Sequence, residues 1–311
     1  MKIVIPGGCG FLGGCLARWF TDRGFEVVLL SRRTAGRTAT ARTVLWDGVT
    51  LGPWAAELEG AHAVINLAGR SVNCRYNAHN RAEILDSRVR STEVLGKAIA
   101  QCARPPRVWL NSSTATIYRH ALDRPMDEAS GEIGTGFSVG IAQAWERAFF
   151  EALTPQTRRV ALRSAMVMGP QPGGPFIVFR MLARCGLGGR MGSGDQFVSW
   201  VHDRDFCRAV EWLIGNESVS GVVNIAAPNP LPNAEFMRVL RQACGMPIGL
   251  PATRWMLEIG AFFLRTETEL PLKSRRVVPG RLQDAGFAFE FADWAAGAQD
   301  LVSRSRVLAT A

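Results

Sequence analysis

Residues 3–13 read I-V-I-P-G-G-C-G-F-L-G, an apolar strand running into a glycine turn and then into the first turn of an amphipathic stretch. Gly7 and Gly10 suit a backbone that must turn tightly and come close to a diphosphate, and Gly13 lets the following helix pack against the strand. Phe11 and Leu12 stand in the first helical turn, where unpaired N–H groups point at such a phosphate. A glycine triplet alone is a weak signal. The apolar run Phe25–Leu30 supplies the next strand of a βαβ unit, and in that context the triplet predicts a dinucleotide site.

The end of that second strand selects the dinucleotide. An NAD site places Asp or Glu there to hold the ribose hydroxyls. This chain has Leu30-Ser31-Arg32-Arg33, and two guanidinium groups with one hydroxyl favour a 2′-phosphate, so the expected cofactor is NADP(H). Further along, Asp47 follows the third strand, where it can accept from an adenine amino group. Asn66-Leu67-Ala68-Gly69 ends the fourth, where small residues let the chain pass beside a cofactor. These strand ends trace one crevice along the carboxyl edge of a sheet.

Strand-like runs at Lys2–Pro6, Glu26–Leu30, Thr43–Trp46, Ala61–Asn66, Arg107–Asn111 and Arg159–Arg163 alternate with helical patterns at Leu12–Asp22, His79–Cys102 and Ser138–Leu153. Nearly all-apolar strands separated by helices predict an α/β fold, a Rossmann-type doubly wound parallel sheet. A smaller C-terminal substrate lobe is expected after it: 1–165 as the NADP-binding domain, with return elements at about 196–226, and 166–311 as the lobe. Gln196–His202 reads as a strand, Arg204–Ile214 as a helix that Asp203 would cap, and Val222–Ala226 as a strand. Helices are expected at Asn233–Cys244 and Thr253–Phe263.

Composition narrows the function. The chain has 311 residues and a net charge of +9, and of its 36 basic residues all but Lys2, Lys97 and Lys273 are arginine. The arginines are scattered without an aromatic-interleaved stripe, which argues against nucleic acid as a partner. Seven cysteines with no C-x-x-C pair, and four well-separated histidines, argue against a disulfide framework and a metal site. With no apolar run of membrane-spanning length and no signal-peptide pattern, a cytoplasmic protein without a membrane partner is expected.

The sequence resembles an extended short-chain dehydrogenase/reductase, and within that group the epimerase-like subfamily. Members carry labels such as NADP-dependent oxidoreductase, nucleotide-sugar epimerase or cell-division inhibitor. The likeness spans nearly the whole chain through G-G-C-G-F-L-G (7–13), N-L-A-G (66–69), D-S-R (86–88), W-E (145–146), S-W-V-H (199–202) and G-F-A-F (286–289). The resemblance sets Thr114, in the segment Ser112–Tyr118, at the catalytic hydroxyl position, with Arg119 where the family keeps a glycine. Taking Glu146 as the family's helical Glu puts Ser138 at the tyrosine position and Ala142 at the lysine position, so the Tyr-x-x-x-Lys pair is missing.

The remaining candidates are few. Arg88 aligns with the family's helix asparagine and can stabilise an oxyanion or a cofactor phosphate. Glu83, five residues before it, need not share its face. Arg88, Glu83 and Val167 join the residues expected to line the cofactor, and Thr114, Arg88 and Tyr118 are the catalytic candidates. His202 reads first as a structural residue. The glycine tract Gly186–Gly194 with Arg190 is either a lid over an anionic substrate or a surface loop. The expected function is an NADP(H)-binding oxidoreductase or epimerase-like enzyme acting on a small molecule. The alternative is a nonenzymatic NADPH sensor. The oligomeric state stays open.

Overall fold

Strands with apolar centres favour a sheet covered on both faces, and here seven strands pair in parallel. They are β1 (Lys2–Pro6), β2 (Glu26–Ser31), β3 (Arg42–Leu45), β4 (Ala63–Asn66), β5 (Val108–Thr114), β6 (Arg158–Ser164) and β10 (Gly221–Ile225). Their order is β10-β6-β5-β4-β1-β2-β3. This computed structural model describes residues 1–33, 41–253 and 273–310. Ile3 lies opposite Val27 on one side and Ala63 on the other, so β1 sits between β2 and β4. The chain winds outward in opposite directions from that point, and a crevice opens at the carboxyl ends there.

Alternation along the strands sorts the core. Ile3, Ile5, Leu29 and Leu110 face α1 (Phe11–Thr21) and α5 (Asp203–Gly215). Val4, Val28, Val64 and Trp109 face the layer of α2 (Ala78–Ala100) and α3 (Phe137–Phe150). Each fully buried Leu, Ile or Val side chain contributes about 1.5–3 kcal/mol, so both helical layers add to the stability of the sheet.

A second assembly uses α4 (Pro175–Arg184), α6 (Asn233–Cys244) and α8 (Trp294–Thr310) around Phe176, Trp200, Phe236 and Leu301. Trp294 stacks on Phe236 with ring centroids 4.2 Å apart and meets Trp200 edge-on at 4.8 Å. Two small ribbons accompany it: β7 (Met166–Met168) beside β9 (Trp200–His202), and β8 (Phe197–Val198) beside β11 (Leu231–Pro232).

The single strand expected over Gln196–His202 is therefore two. Ser199 breaks it: its hydroxyl donates to the Arg275 carbonyl at 2.6 Å and accepts from the Val277 N–H at 2.8 Å, fastening the turn to a distant segment. The cap of α5 is also corrected. His202 accepts from the Arg204 N–H through Nδ1 at 3.2 Å, while Asp203 is the first helical residue. The helix expected at Thr253–Phe263 lies outside the described residues, apart from Thr253.

At the β10 edge of the sheet, side chains occupy outward-facing backbone groups. Arg281, on α7 (Gly280–Asp284), donates to the carbonyls of Ser220 and Val222 at 2.6 and 2.7 Å. Glu128 accepts from the Asn224 N–H at 2.7 Å.

Candidate functional site

The glycine turn is a cradle that only glycine can build. Gly7 has φ +74°, and a Cβ placed there would lie 2.7 Å from the Ala68 backbone. A Cβ on Gly13 would lie 2.1 Å from the Gly8 carbonyl oxygen, so the start of α1 lies directly against the turn. Gly10 is the opposite case: exposed, with nothing within 4 Å of a Cβ, it leaves the mouth of the turn open. Gly10 caps α1 without a side-chain bond, and the first turn holds no acidic residue. A helix N-terminus with free donors, no competing carboxylate and an open approach suits a diphosphate. Phe11 does not point along that approach. Its ring fills the space where side chains on Gly169 and Gly174 would stand, at 2.8 and 2.9 Å, bracing the loop after β7. Leu12 packs on the core below, and Val167 is itself a buried core residue.

Ser31 is buried at the end of β2, and its Oγ accepts from the Arg33 N–H at 3.2 Å, turning the chain outward. Arg32 and Arg33 are exposed just beyond it. Asp47 is engaged by its own loop: it accepts from the N–H groups of Val49 and Thr50 at 2.8 and 2.9 Å and from the Thr50 hydroxyl. Those bonds, the hydroxyl's above all, hold its carboxyl below the usual carboxylate range. Asn66 ties the ends of β4 and β5 together, donating to Asn111 at 2.7 Å and accepting from the Ala68 N–H at 3.0 Å. Leu67 and Ala68 continue beside the glycine turn, with Leu67 N–H on the Pro6 carbonyl at 2.9 Å.

Arg88 projects from α2 onto Gly69. A Cβ at Gly69 would lie 3.1 Å from its guanidinium carbon. Nη1 donates to the Arg70 and Ile84 carbonyls, both at 3.0 Å, and the group sits over the Trp145 ring at 5.1 Å. No carboxylate pairs with it among the described residues, so burial draws its pKa down to about 10, with Tyr76 the countering influence. Glu83 faces elsewhere, paired with Arg70 and, at 3.4 Å, with His79.

Thr114 ends β5 at the same edge of the sheet, half-buried. Its Oγ1 accepts from the Thr116 N–H at 3.2 Å and lies 2.8 Å from the Thr116 hydroxyl. Tyr118 is a correction. It is 1% exposed, its hydroxyl donates to Asn224 at 2.9 Å and accepts from Arg163 at 3.0 Å, and burial pushes its pKa up. No substrate can reach it. Arg119, where the family keeps a glycine, has its side chain held by Asp123 and Glu132 at 2.8 and 2.9 Å. Glu146 is buried too, in a forked pair with Arg163 at 2.7 and 2.8 Å, and it accepts from the Ser113 hydroxyl at 2.6 Å. Ala142 is fully buried one turn earlier on α3, and Ser138 is the second residue of that helix.

The glycine tract is no lid. The Gly186 carbonyl accepts from Leu250, Gly189 donates to Leu250, Gly192 donates to Ala252, and Met191 donates to Asn233, at 2.7–3.1 Å. Arg190 stays exposed on its rim. His202 is fully buried, with Nε2 3.0 Å from Asp300 and its ring stacked on Phe291 at 3.8 Å. Trp145, and the Asn66–Asn111 tie, were not singled out as site residues from the sequence, because their role depends on contacts between α2, α3 and two strand ends. Among the described residues no group of three or more His, Cys, Asp or Glu could hold a metal ion, and no helix is long and apolar enough to cross a membrane.

A parallel sheet with its winding reversal at β1/β4, a glycine cradle at that point and a polar tie across β4 and β5 define a dinucleotide-type α/β protein of the short-chain dehydrogenase/reductase kind. The comparisons agree. A profile of the NAD dependent epimerase/dehydratase family matches residues 3–226, and one of a domain of unknown function, DUF1731, matches residues 252–301. The chain belongs to the NAD dependent epimerase/dehydratase family. It is 32% identical to the epimerase family protein SDR39U1 of Bos taurus over 97% of this chain and all of that one. It is 28% identical to the epimerase family protein YfhF of Bacillus subtilis over 94% and 95% of the two chains. The crystal structure of human SDR39U1 (isoform 2) with NADPH superposes with a TM-score of 0.87 at 30% identity, covering 97% of this chain and 99% of the other. UDP-glucose 4-epimerase of Thermotoga maritima shares the fold, with a TM-score of 0.79 at 15% identity and coverage of 99% and 100%.

Proposed function

We propose that this chain binds NADP(H) and acts as an oxidoreductase or epimerase-like enzyme on a small molecule; its seven free thiols suit a reducing cytoplasm. The observation that carries the reading is the glycine cradle at the open start of α1, with Arg32 and Arg33 exposed at the end of β2 where a 2′-phosphate would lie. The NADPH in the human relative, whose chain superposes almost throughout, supports it. Gly7, Gly10 and Gly13 would hold the diphosphate, Ser31, Arg32 and Arg33 the 2′-phosphate, and Leu67–Gly69 would flank the cofactor. NADP(H), when bound, supplies the hydride chemistry. Thr114 offers a hydroxyl at the end of β5 to orient a substrate oxygen.

The test is thermal stabilisation by NADPH and by NADH, repeated with Arg32→Ala. NADPH should raise Tm well above NADH in the wild type, and the substitution should narrow the difference, each charge-assisted contact being worth about 1.5–3 kcal/mol. Equal stabilisation by both nucleotides would sink the 2′-phosphate assignment. One observation favours the sensor reading: Ser138 and Ala142 stand where the proton-donating pair belongs, and Tyr118 is locked in the core. If NADPH binds and a panel of carbonyl compounds and nucleotide sugars leaves it unoxidised, the sensor reading replaces the enzyme.

A further inference from the structure

Arg88 is a half-buried cation with three of its five N–H donors unspent. Nη1 is committed to two backbone carbonyls. Nε and Nη2 donate to no described residue, and neither is sealed away from solvent as an orphaned buried donor. The carboxylates nearest it along α2 are engaged elsewhere: Glu83 with Arg70 and His79, and Asp86 with Arg90 at 3.4 Å. A guanidinium that is partly desolvated, stacked on Trp145 and fixed by its neighbours is a rigid fork for two anionic oxygens. Among the described residues no anion fills that fork, and it stands ready to receive one.

The position says which anion. In the sheet β4 is two strands from β2, so the mouth at Gly69 stands roughly 10 Å from the strand end that carries Arg32 and Arg33. The diphosphate has its own donors at the start of α1, beside β1. Arg88 lies on the other side, between the end of β4 and the face of α3 that carries Trp145. Aromatic rings stand beside it: Tyr76 lies near enough to act on its charge, and the Tyr76 ring meets Phe137, at the start of α3, at 5.0 Å.

We propose that Arg88 anchors a carboxylate carried by the substrate, which docks between Gly69, Tyr76 and Trp145. The proposal rests on reading the cleft as an NADP(H) site, because it assigns the cofactor's phosphates to other residues. It makes the substrate an acid, with the reacting carbon held toward Thr114 at the neighbouring strand end.

The experiment uses the full chain, with and without saturating NADPH, and two probes of equal shape: phenylacetate and its neutral amide, phenylacetamide. Phenylacetate should raise Tm in a saturable way and phenylacetamide should not. Arg88→Met should weaken the phenylacetate response about ten- to hundredfold. Arg88→Lys, which keeps the charge and loses the fork, should fall between, and it serves if the Met variant does not fold. Equal responses to the two probes in the wild type, or a phenylacetate response untouched by both substitutions, would overturn the proposal. Matching losses of affinity for NADPH and for 2′-phospho-ADP-ribose in the variants would overturn it as well, by assigning Arg88 to the cofactor. If NADPH fails to stabilise the wild type, the cofactor reading falls separately, and the probe comparison on the free protein still decides Arg88.

Discussion

Replacing Tyr118 by Phe removes one oxygen from the interior and leaves the ring in place. That oxygen serves two partners: Asn224 Oδ1 accepts its proton at 2.9 Å, and Arg163 Nη1 donates to it at 3.0 Å. Arg163 keeps its forked pair with Glu146 through Nε and Nη2, so the guanidinium stays neutralised and loses one of its bonds. Asn224 keeps its amide bond to the Val278 carbonyl at 2.9 Å, while its side-chain oxygen loses this partner. Each buried group left unsatisfied costs about 1–3 kcal/mol, which for the two partners gives a destabilisation of about 2–6 kcal/mol. Urea unfolding is the assay: the midpoint should fall while the slope is unchanged. The rise in Tm on adding NADPH should match that of the wild type, because the ring lies in the core beneath the cleft. A variant of wild-type stability with impaired NADPH or substrate handling would refute this and return Tyr118 to the active site.

Glu146→Gln strips the charge facing Arg163 at a site where both are nearly buried; a loss of about 3–5 kcal/mol is expected, read from the urea midpoint or from soluble yield. Gly13→Ala pushes a methyl group against the Gly8 carbonyl oxygen and should abolish thermal stabilisation by NADPH, while circular dichroism shows the helices retained. His202 is held neutral: its Nδ1 accepts an N–H, its Nε2–H faces Asp300, and burial lowers its pKa despite the carboxylates nearby. A histidine depressed in the folded state contributes stability that is full above its unfolded pKa of about 6.5 and is lost as pH falls through the folded value. Unfolding midpoints should therefore drop below pH about 6.5, and His202→Asn should flatten that limb; an unchanged limb would count against the neutral assignment.

The parts of the molecule that were readable in the sequence are those set by local pattern. Runs of Val, Ile and Leu bounded by turn residues marked six of the seven parallel strands within about three residues at either end, and the return strand at 222–226 as well, because burial on both faces leaves no other use for such runs. The glycine cradle was legible for the same reason: its constraint lies within residues 7–13. What escaped depends on partners far along the chain. Tyr118 looked available because its burial comes from Arg163 and from Asn224, 106 residues away. The glycine tract suggested a lid because its fasteners, Asn233, Leu250 and Ala252, are 42 to 64 residues off in sequence. His202 took the cap expected of Asp203, since a buried imidazole nitrogen competes with a carboxylate for the same N–H.

The occupied edge at β10 bears on how this protein meets others of its kind. An outermost strand ordinarily offers a row of free N–H and C=O groups to any chain that can extend alongside it. Here Arg281 covers two of the carbonyls and Glu128 one of the N–H groups, and the two residues are themselves joined by the Arg281 N–H at 3.2 Å from the Glu128 carboxylate. An incoming strand would have to expel a guanidinium and a carboxylate before its first bond formed. Continuation of the sheet from one molecule into the next is therefore disfavoured on that side.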